Sequence, residues 1–246
     1  MSKRVLVTGS SRGIGRAIAL KLASDGWSVA IHGTQIGKAL QETRDLLGTA
    51  CSGVYAGDLT HTGSVDGIVD RAVDSGTLQA LVNNAGVYHP LNFLESSDSE
   101  FETNYRRTLA INFETPVRLT RRVAQYFVGQ GGGKILNVAS RVGFRGEAGA
   151  SIYSASKAAL INLTRALAVE LAPKNIGLFG IAPGWVDTAM VREGMDDRLP
   201  SILEGIPLGR MASPEDCANI ASFLLSDEAA YLSGQVIDIN GASYFH

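Results

Sequence analysis

The stretch Arg4-Val5-Leu6-Val7-Thr8-Gly9-Ser10-Ser11-Arg12-Gly13-Ile14-Gly15 decides the fold. A short apolar run reads as a strand. It closes on a glycine-rich turn, and an amphipathic stretch over Gly13–Asp25 reads as a helix. Glycines in such a turn let the backbone bend sharply and approach a phosphate closely. The following helix would present its free N–H groups and positive dipole end to that phosphate. The spacing is GxxxGxG, which differs from the GxGxxG of the general dinucleotide fingerprint.

The same alternation runs outward along the chain. Further strands are expected at Ser28–His32, Ser52–Ala56, Ala80–Asn83, Lys134–Val138, Gly177–Ile181 and Gln235–Ile239. Helices are expected at Ile36–Leu47, Ser64–Ser75, Tyr105–Val128, Ser154–Leu171 and Pro214–Leu225. Strands alternating with helices imply an α/β fold, a doubly wound parallel sheet of about seven strands with helices on both faces. Ligands bind such a sheet at the carboxyl ends of its strands, near a switch in strand order. No linker, repeat or low-complexity tract interrupts the pattern, so residues 1–246 read as one domain.

Hydrophobic residues make up 45% of the chain, enough for a substantial core. The net charge of -2 and the absence of a dense Lys/Arg run argue against a nucleic-acid partner. Cys51 and Cys217 form no CxxC pair, and His32, His61, His89 and His246 lack metal-ligand spacing. No metal is expected. No signal peptide fits the first residues, and no apolar run is long enough for a bilayer. The expectation is a cytoplasmic protein with no membrane contact.

Which dinucleotide the turn would take follows from the second strand. An NAD site usually places an Asp or Glu there to bond the ribose 2′-hydroxyl. This strand ends His32-Gly33-Thr34, without an acid. Arg12, within the glycine turn, could meet a 2′-phosphate with a charge-assisted fork. Both features point to NADP(H), the plain alternative being a solvated Arg12. Gly57-Asp58-Leu59 follows the third strand, where a carboxylate could accept from an adenine amino group. Asn83-Asn84-Ala85-Gly86 follows the fourth, where small residues allow close approach to the cofactor. Either could also be ordinary turn chemistry.

At the other end, Tyr153-Ser154-Ala155-Ser156-Lys157 opens an expected helix, and positions four apart share a face. A phenol near pKa 10 is a poor base at neutral pH, and a nearby ammonium would lower that value. Tyr153 could then donate a proton in reduction and accept one in oxidation. Alone, the pair also fits an amphipathic surface. Ser140, just past the fifth strand, could hold a substrate oxygen beside the phenol. Asn112 stands mid-helix, where Asn is mildly unfavourable, so either it has a role there or it is a surface polar residue.

Together these motifs resemble the short-chain dehydrogenase/reductase family. The carriers are Thr8 to Gly15, Asn83-Asn84-Ala85-Gly86, Asn112, Ser140, Tyr153 to Lys157 and Pro183-Gly184. The resemblance implies a Rossmann-type fold of seven parallel strands and a catalytic tetrad of Asn112, Ser140, Tyr153 and Lys157. In that scheme Tyr153 donates the proton and Lys157 lowers its pKa while holding the nicotinamide ribose. Ser140 orients the carbonyl, and Asn112 positions a water relaying protons to Lys157. The implied cofactor contacts are Gly9, Ser11, Arg12, Gly13, Ile14, Gly15, Thr34, Asp58, Leu59, Asn84, Ala85, Gly86, Tyr153, Lys157, Pro183, Val186 and Thr188, with Thr188 near the carboxamide. The hydride belongs to the cofactor.

Within the family the chain is most similar to 3-oxoacyl-[acyl-carrier-protein] reductases, in Arg16-Ala17-Ile18-Ala19 and in Leu232 to Gly241. Those enzymes commonly carry basic residues before the fifth strand that dock the acidic carrier protein. Here Gly129-Gln130-Gly131-Gly132-Gly133 stands there, leaving Lys134 and Lys174 as a partial patch. Arg141 and Arg145 either face the substrate entrance or are exposed loop charges. Ala189–Pro207, with Met190, Val191, Met195 and Leu199, reads as a lid. The helix after Tyr153 is apolar on more than one side, and the family implies a homotetramer or dimer through it and the Asn112 helix. A homotetramer is expected. Three functions follow: reduction of a 3-oxoacyl thioester, with an acyl carrier protein as partner; turnover of a free small ketone, sugar or alcohol; or non-catalytic dinucleotide binding.

Overall fold

The computed structural model describes residues 3–192 and 199–246. Seven strands form one sheet: β1 Arg4–Val7, β2 Ser28–Gly33, β3 Cys51–Ala56, β4 Ala80–Asn83, β5 Gly133–Val138, β6 Ile176–Pro183 and β7 Val236–Ile239. Every pairing is parallel, in the order β3-β2-β1-β4-β5-β6-β7. Each expected strand is present, with ends moved by at most two residues.

Alternation along the strands divides the core into two layers, because successive side chains point to opposite faces. Val5, Val7, Val29, Ile31, Ala80 and Val82 face one side. There they meet α1 (Gly13–Ser24), α2 (Lys38–Leu47) and α9 (Pro214–Leu225) through Ile18, Leu22, Leu40, Ala221 and Leu224. Leu6, Ala30 and Leu81 face the other side. They meet α3 (Thr62–Asp74) and α5 (Thr115–Gln130) through Ile68, Val69, Leu119, Val123 and Phe127, and α6 (Ser151–Leu171) through Ala168. Strands apolar on both faces are what a sheet covered twice by helices requires.

Two helices differ from expectation. The long helical region begins earlier, with α4 at Asp98–Leu109. Its start is fixed by a capping box, in which Ser97 accepts from the Glu100 N–H and the Glu100 carboxylate accepts from the Ser97 N–H. Between α4 and α5 lies a π-helical turn, Ala110–Glu114, which carries Asn112. The helix bearing Tyr153 also starts earlier, at Ser151, so the phenol stands inside its first turn. The chain runs outward from β1 to β3, then returns to place β4 beside β1. The loops after β1 and β4 therefore meet at the switch point, where an open α/β sheet binds its ligand.

Of the expected lid, α7 (Ala189–Arg192) and α8 (Leu199–Glu204) are described. Met195 and the side chains of Met190 and Val191 lie outside the described residues. Ile202 and Ile206 pack with Met211 against Trp185 and Leu199. The Asp187 carboxylate accepts two bonds of 2.6 Å from Arg192 at the end of α7.

Candidate active site

The first half of the site is backbone. Gly9 (φ 64°) and Gly13 (φ 56°) occupy the left-handed region that favours glycine. A Cβ on Gly9 would stand 2.8 Å from Ala85 Cα, and one on Gly15 would stand 2.3 Å from both the Gly9 carbonyl oxygen and Asn84 Nδ2. The Asn84 amide donates to the Thr8 and Gly9 carbonyls at 2.9 and 3.0 Å. Thr8 Oγ1 accepts from the N–H groups of Asn84 and Ala85 at 3.0 and 3.1 Å. These bonds stitch the ends of β1 and β4 into one cradle. The helix N-terminus that it feeds has Arg12 as an extended cap residue, no side-chain cap bond and no acid in its first turn. Such a terminus fits an anionic phosphate.

The two arginines beside this cradle divide their work. Arg16 bonds the carbonyls of Ser11 and Ala39, the Thr43 hydroxyl and the Glu42 carboxylate, so it shapes the loop from within. Arg12 and Thr34 are exposed, which leaves Arg12 as the outward-facing cation. Asp58 accepts from the Thr60 N–H and hydroxyl, both at 2.9 Å, and the N–H bond above all holds its carboxyl below the usual range. Leu59 is buried, and its carbonyl accepts from the Thr115 hydroxyl at 2.7 Å. Ser11 and Ile14 complete the turn, partly buried. The Thr188 methyl lies 3.3 Å from where a Gly13 Cβ would stand, placing the segment after β6 across from the glycine turn.

The second half is made of side chains. Lys157 is 4% exposed, and its ammonium donates to the Val138 carbonyl at 2.8 Å. It stands 5.7 Å from the centre of the Tyr153 ring. Gly86 keeps the space beside it open, since a Cβ there would lie 3.6 Å from Lys157 Nζ and 3.3 Å from Asn112 Oδ1. Ser140 stands near enough to the Tyr153 phenol to pull its pKa down. Its hydroxyl also lies 3.5 Å from the Pro183 carbonyl, and its oxygen accepts from the Val142 N–H at 3.4 Å. Asn112 is fully buried in the π-helical turn. Its oxygen accepts from the Val87 N–H and its nitrogen donates to the Val87 carbonyl, both at 2.9 Å. A further contact of 3.3 Å reaches the Ser156 hydroxyl. Asn112 thus fastens the chain after Gly86, and its place in a π turn accounts for an Asn inside a long helical run. Val186 is buried and bridges to Ala212 just past β6.

Three expectations change. The lowering of the Tyr153 pKa by Lys157 is reversed. Burial pushes the phenol up to about 12, the nearby Ser140 hydroxyl pulls it down, and Tyr88 and Glu147 push it up. Lys157 itself is pushed down to about 8 by burial, and its ammonium is directed at Val138. Arg141 neither lines an entrance nor is exposed. It is 7% exposed, paired with Glu147 and bonded to Ser243, both at 3.1 Å, and serves as a strut between the Ser140 loop and the C-terminal segment. Arg145 is exposed. Lys134 is drawn away from any docking role, since it caps the C-terminal end of α9 at the Leu225 and Ser226 carbonyls and pairs with Asp227. Lys174 is exposed.

One residue beside the phenol escaped sequence reading. The Tyr88 ring meets Tyr153 edge to face, with centroids 5.0 Å apart and planes at 68°. Only its position two residues after Gly86 could have pointed to it. Among the described residues no cluster of His, Cys, Asp and Glu could hold a metal ion, and no helix is long and apolar enough to cross a membrane.

Comparison with known proteins agrees with this geometry. A family model described as enoyl-(acyl carrier protein) reductase matches residues 9–242. The chain is 38% identical over 245 residues to a 3-oxoacyl-[acyl-carrier-protein] reductase of Aquifex aeolicus, covering 97% of this chain and 96% of that protein. A putative NAD(P)-dependent gluconate 5-dehydrogenase from Beutenbergia cavernae, solved with bound NADP, superposes with a TM-score of 0.90 at 33% identity, over 98% of this chain and 96% of that one. A 3-ketoacyl-(acyl-carrier-protein) reductase from Brucella melitensis, complexed with NADH, gives 0.89 at 30% identity, over 99% and 98%. With its doubly wound sheet, its glycine cradle at the switch point and its Ser140–Tyr153–Lys157 corner, the chain belongs to the short-chain dehydrogenase/reductase family of oxidoreductases.

Proposed function

We propose that this protein uses NADP(H) to reduce a ketone to a secondary alcohol, with Tyr153 as the proton donor. The observation that carries this reading is the convergence of Ser140, Tyr153 and Lys157 beside the open space at Gly86, next to the glycine cradle. The cradle fits a dinucleotide because glycine at 9 and 15 lets the turn pack directly on Ala85 and Asn84, leaving the uncapped N-terminus of α1 for a phosphate. When bound, the nicotinamide supplies the hydride.

The chain's own groups supply the rest. Ser140 donates a hydrogen bond to the substrate oxygen and orients it against Tyr153. With its pKa pushed up to about 12, the Tyr153 phenol is protonated throughout the neutral range, as a donor in the reducing direction must be. Lys157, cationic below about pH 8, holds the nicotinamide ribose and offsets negative charge developing at the phenol. Asn112 keeps the Val87 backbone, and with it Gly86, in register. Pro183, Val186 and Thr188 border the nicotinamide from the β6 side. Arg12 and Thr34 meet the 2′-phosphate, and the lack of an acid at the end of β2 removes the group that would repel it.

The substrate proposed first is a 3-oxoacyl thioester, supported by the Aquifex aeolicus relative. A second reading, a free small ketone or sugar, is favoured by one observation: Lys134 is committed to α9, and residues 129–133 before it carry no charge. A carrier protein would find only Lys174 there. The test is loss of reduced-nicotinamide absorbance with acetoacetyl thioesters, carrier-bound and free, beside a panel of small ketones. Faster turnover of the carrier-bound thioester supports the first reading, and turnover of free ketones alone supports the second. No NADPH-dependent turnover of any ketone would defeat both.

Assembly as a homotetramer belongs to the same proposal. The outer face of α6 leaves Ala155, Ala166 and Val169 exposed, Val169 by 79%. Sedimentation that found only monomer at micromolar concentration would remove it.

A further inference from the structure

His32 is the last imidazole one would expect at a nucleotide site, since it is buried at the end of β2 and touches no proposed catalytic group. It is 2% exposed. Its ring spans two backbone segments. The Gly9 N–H donates to Nδ1 at 3.4 Å, and Nε2 lies 3.1 Å from the Gly57 carbonyl oxygen. A carbonyl can only accept, so Nε2 carries the hydrogen. An N–H can only donate, so Nδ1 is bare. One tautomer of the neutral ring satisfies both contacts.

The backbone around the ring repeats this coupling. The His32 carbonyl accepts from the Ser10 N–H at 2.9 Å and from the Ser10 hydroxyl at 3.3 Å, and the His32 N–H donates to Ser10 Oγ at 2.9 Å. The Gly57 N–H donates to the Gly33 carbonyl at 3.2 Å. Gly9 begins the phosphate-facing turn, and Gly57-Asp58 begins the loop assigned to the adenine. The imidazole is the side chain that ties one to the other.

We infer that His32 is a positioning residue for the dinucleotide: its neutral Nε2–H tautomer sets the distance between the glycine turn and the Gly57-Asp58 loop. It also takes the Gly9 N–H inward, while Asn84 holds the Gly9 carbonyl. Both polar groups of a residue at φ 64° are thus fixed before any ligand arrives, and binding has less backbone freedom to remove. Burial above all lowers the pKa of the ring, against the Gly57 bond, which raises it, and with the Arg71 guanidinium, which adds to the lowering.

The inference rests on the dinucleotide reading of the cradle, and three variants separate the two. His32→Phe keeps an aromatic ring and loses both bonds, whereas His32→Gln offers one acceptor and one donor. The expected result is NADPH binding about tenfold weaker in His32→Phe, as the loss of buried hydrogen bonds implies, with the loss falling on KM for NADPH and not on kcat. His32→Gln should recover most of it. Equal NADPH affinity in His32→Phe and wild type, or a Gln variant as weak as the Phe variant, would overturn the positioning role. Nitrogen-15 spectra of the wild-type ring decide the matter if His32→Phe fails to fold: a bare Nδ1 and a protonated Nε2 are expected, and the opposite tautomer would contradict the inference. Wild-type protein that bound no NADPH would instead overturn the dinucleotide reading, and Arg12→Ala, which leaves His32 untouched, reports on that reading alone.

Discussion

The glycine turn after β1 and the Tyr153 corner share one sheet edge, yet they are built in opposite ways. The turn depends on absent atoms: at Gly9 and Gly15 a single methyl group would collide with Ala85, Asn84 and the Gly9 carbonyl, and at Gly13 it would press on Thr188. The corner is made of present atoms: a phenol and an ammonium one turn apart on α6, and a hydroxyl from the loop after β5. The turn comes from one continuous stretch, whereas the Ser140 loop and the helix bearing Tyr153 and Lys157 meet only through folding. The turn should therefore break when atoms are added, and the corner when they are removed.

Removing one hydroxyl should have the larger effect. Ser140→Ala is expected to lower kcat by about a hundredfold or more, as loss of a donor to developing oxyanion charge does, with NADPH affinity kept. Steady-state kinetics beside direct NADPH titration check both halves. An equal loss in binding would make Ser140 part of the cradle and erase the contrast. Adding one methyl comes next. Gly15→Ala forces a Cβ into the Gly9 carbonyl and the Asn84 amide, and such overpacking costs about 1–3 kcal/mol. The expected readout is weaker NADPH binding and a lower melting temperature together.

A smaller effect separates charge from shape within the turn. Arg12→Ala should weaken NADPH by roughly tenfold, the scale of a hydrogen bond to a charged group, and leave NADH nearly unaffected. Parallel KM values for the two nucleotides test this. Equal loss for both would make Arg12 a loop residue and not a phosphate reader.

The smallest effect is read as stability against pH. Burial pushes Lys157 down to about 8 from 10.5, so between those values the unfolded chain binds more protons than the folded one. Stability from this group therefore rises with pH across that window. Tyr153 works the other way: its pKa is up at about 12 from 10.0, so its contribution is present below pH 10 and fades toward 12. Denaturant melts of Lys157→Met should lack the rise between pH 8 and 10.5, and those of Tyr153→Phe should lack the later fall. Identical pH profiles for wild type and both variants would show that neither group is buried as described.

This contrast also explains what could be read from the chain alone. Strand alternation and the GxxxGxG turn are local, and the sheet follows from them nearly residue by residue. Asn112 was visible as an oddity, but its π turn and its pairing with Val87, twenty-five positions away, are tertiary. The start of α4 did carry a local signal, the Ser97 to Glu100 capping box. Arg141 and Lys134 misled because what commits them lies far along the chain, at Ser243 and Asp227. The direction of the Tyr153 pKa misled for a related reason. Spacing brings a lysine near a phenol, but burial acts on both and sets the direction of each shift. His32 gave no local sign, because its role lies in two backbone contacts made by folding.

The most direct test of the chemistry compares wild type with Tyr153→Phe, measuring NADPH affinity and ketone turnover on the same samples. Retained affinity with turnover reduced by about a thousandfold, within the range for loss of a general acid, is the expected result. Turnover close to wild type in the Phe variant would contradict Tyr153 as the proton donor and move the search to another hydroxyl at the same corner.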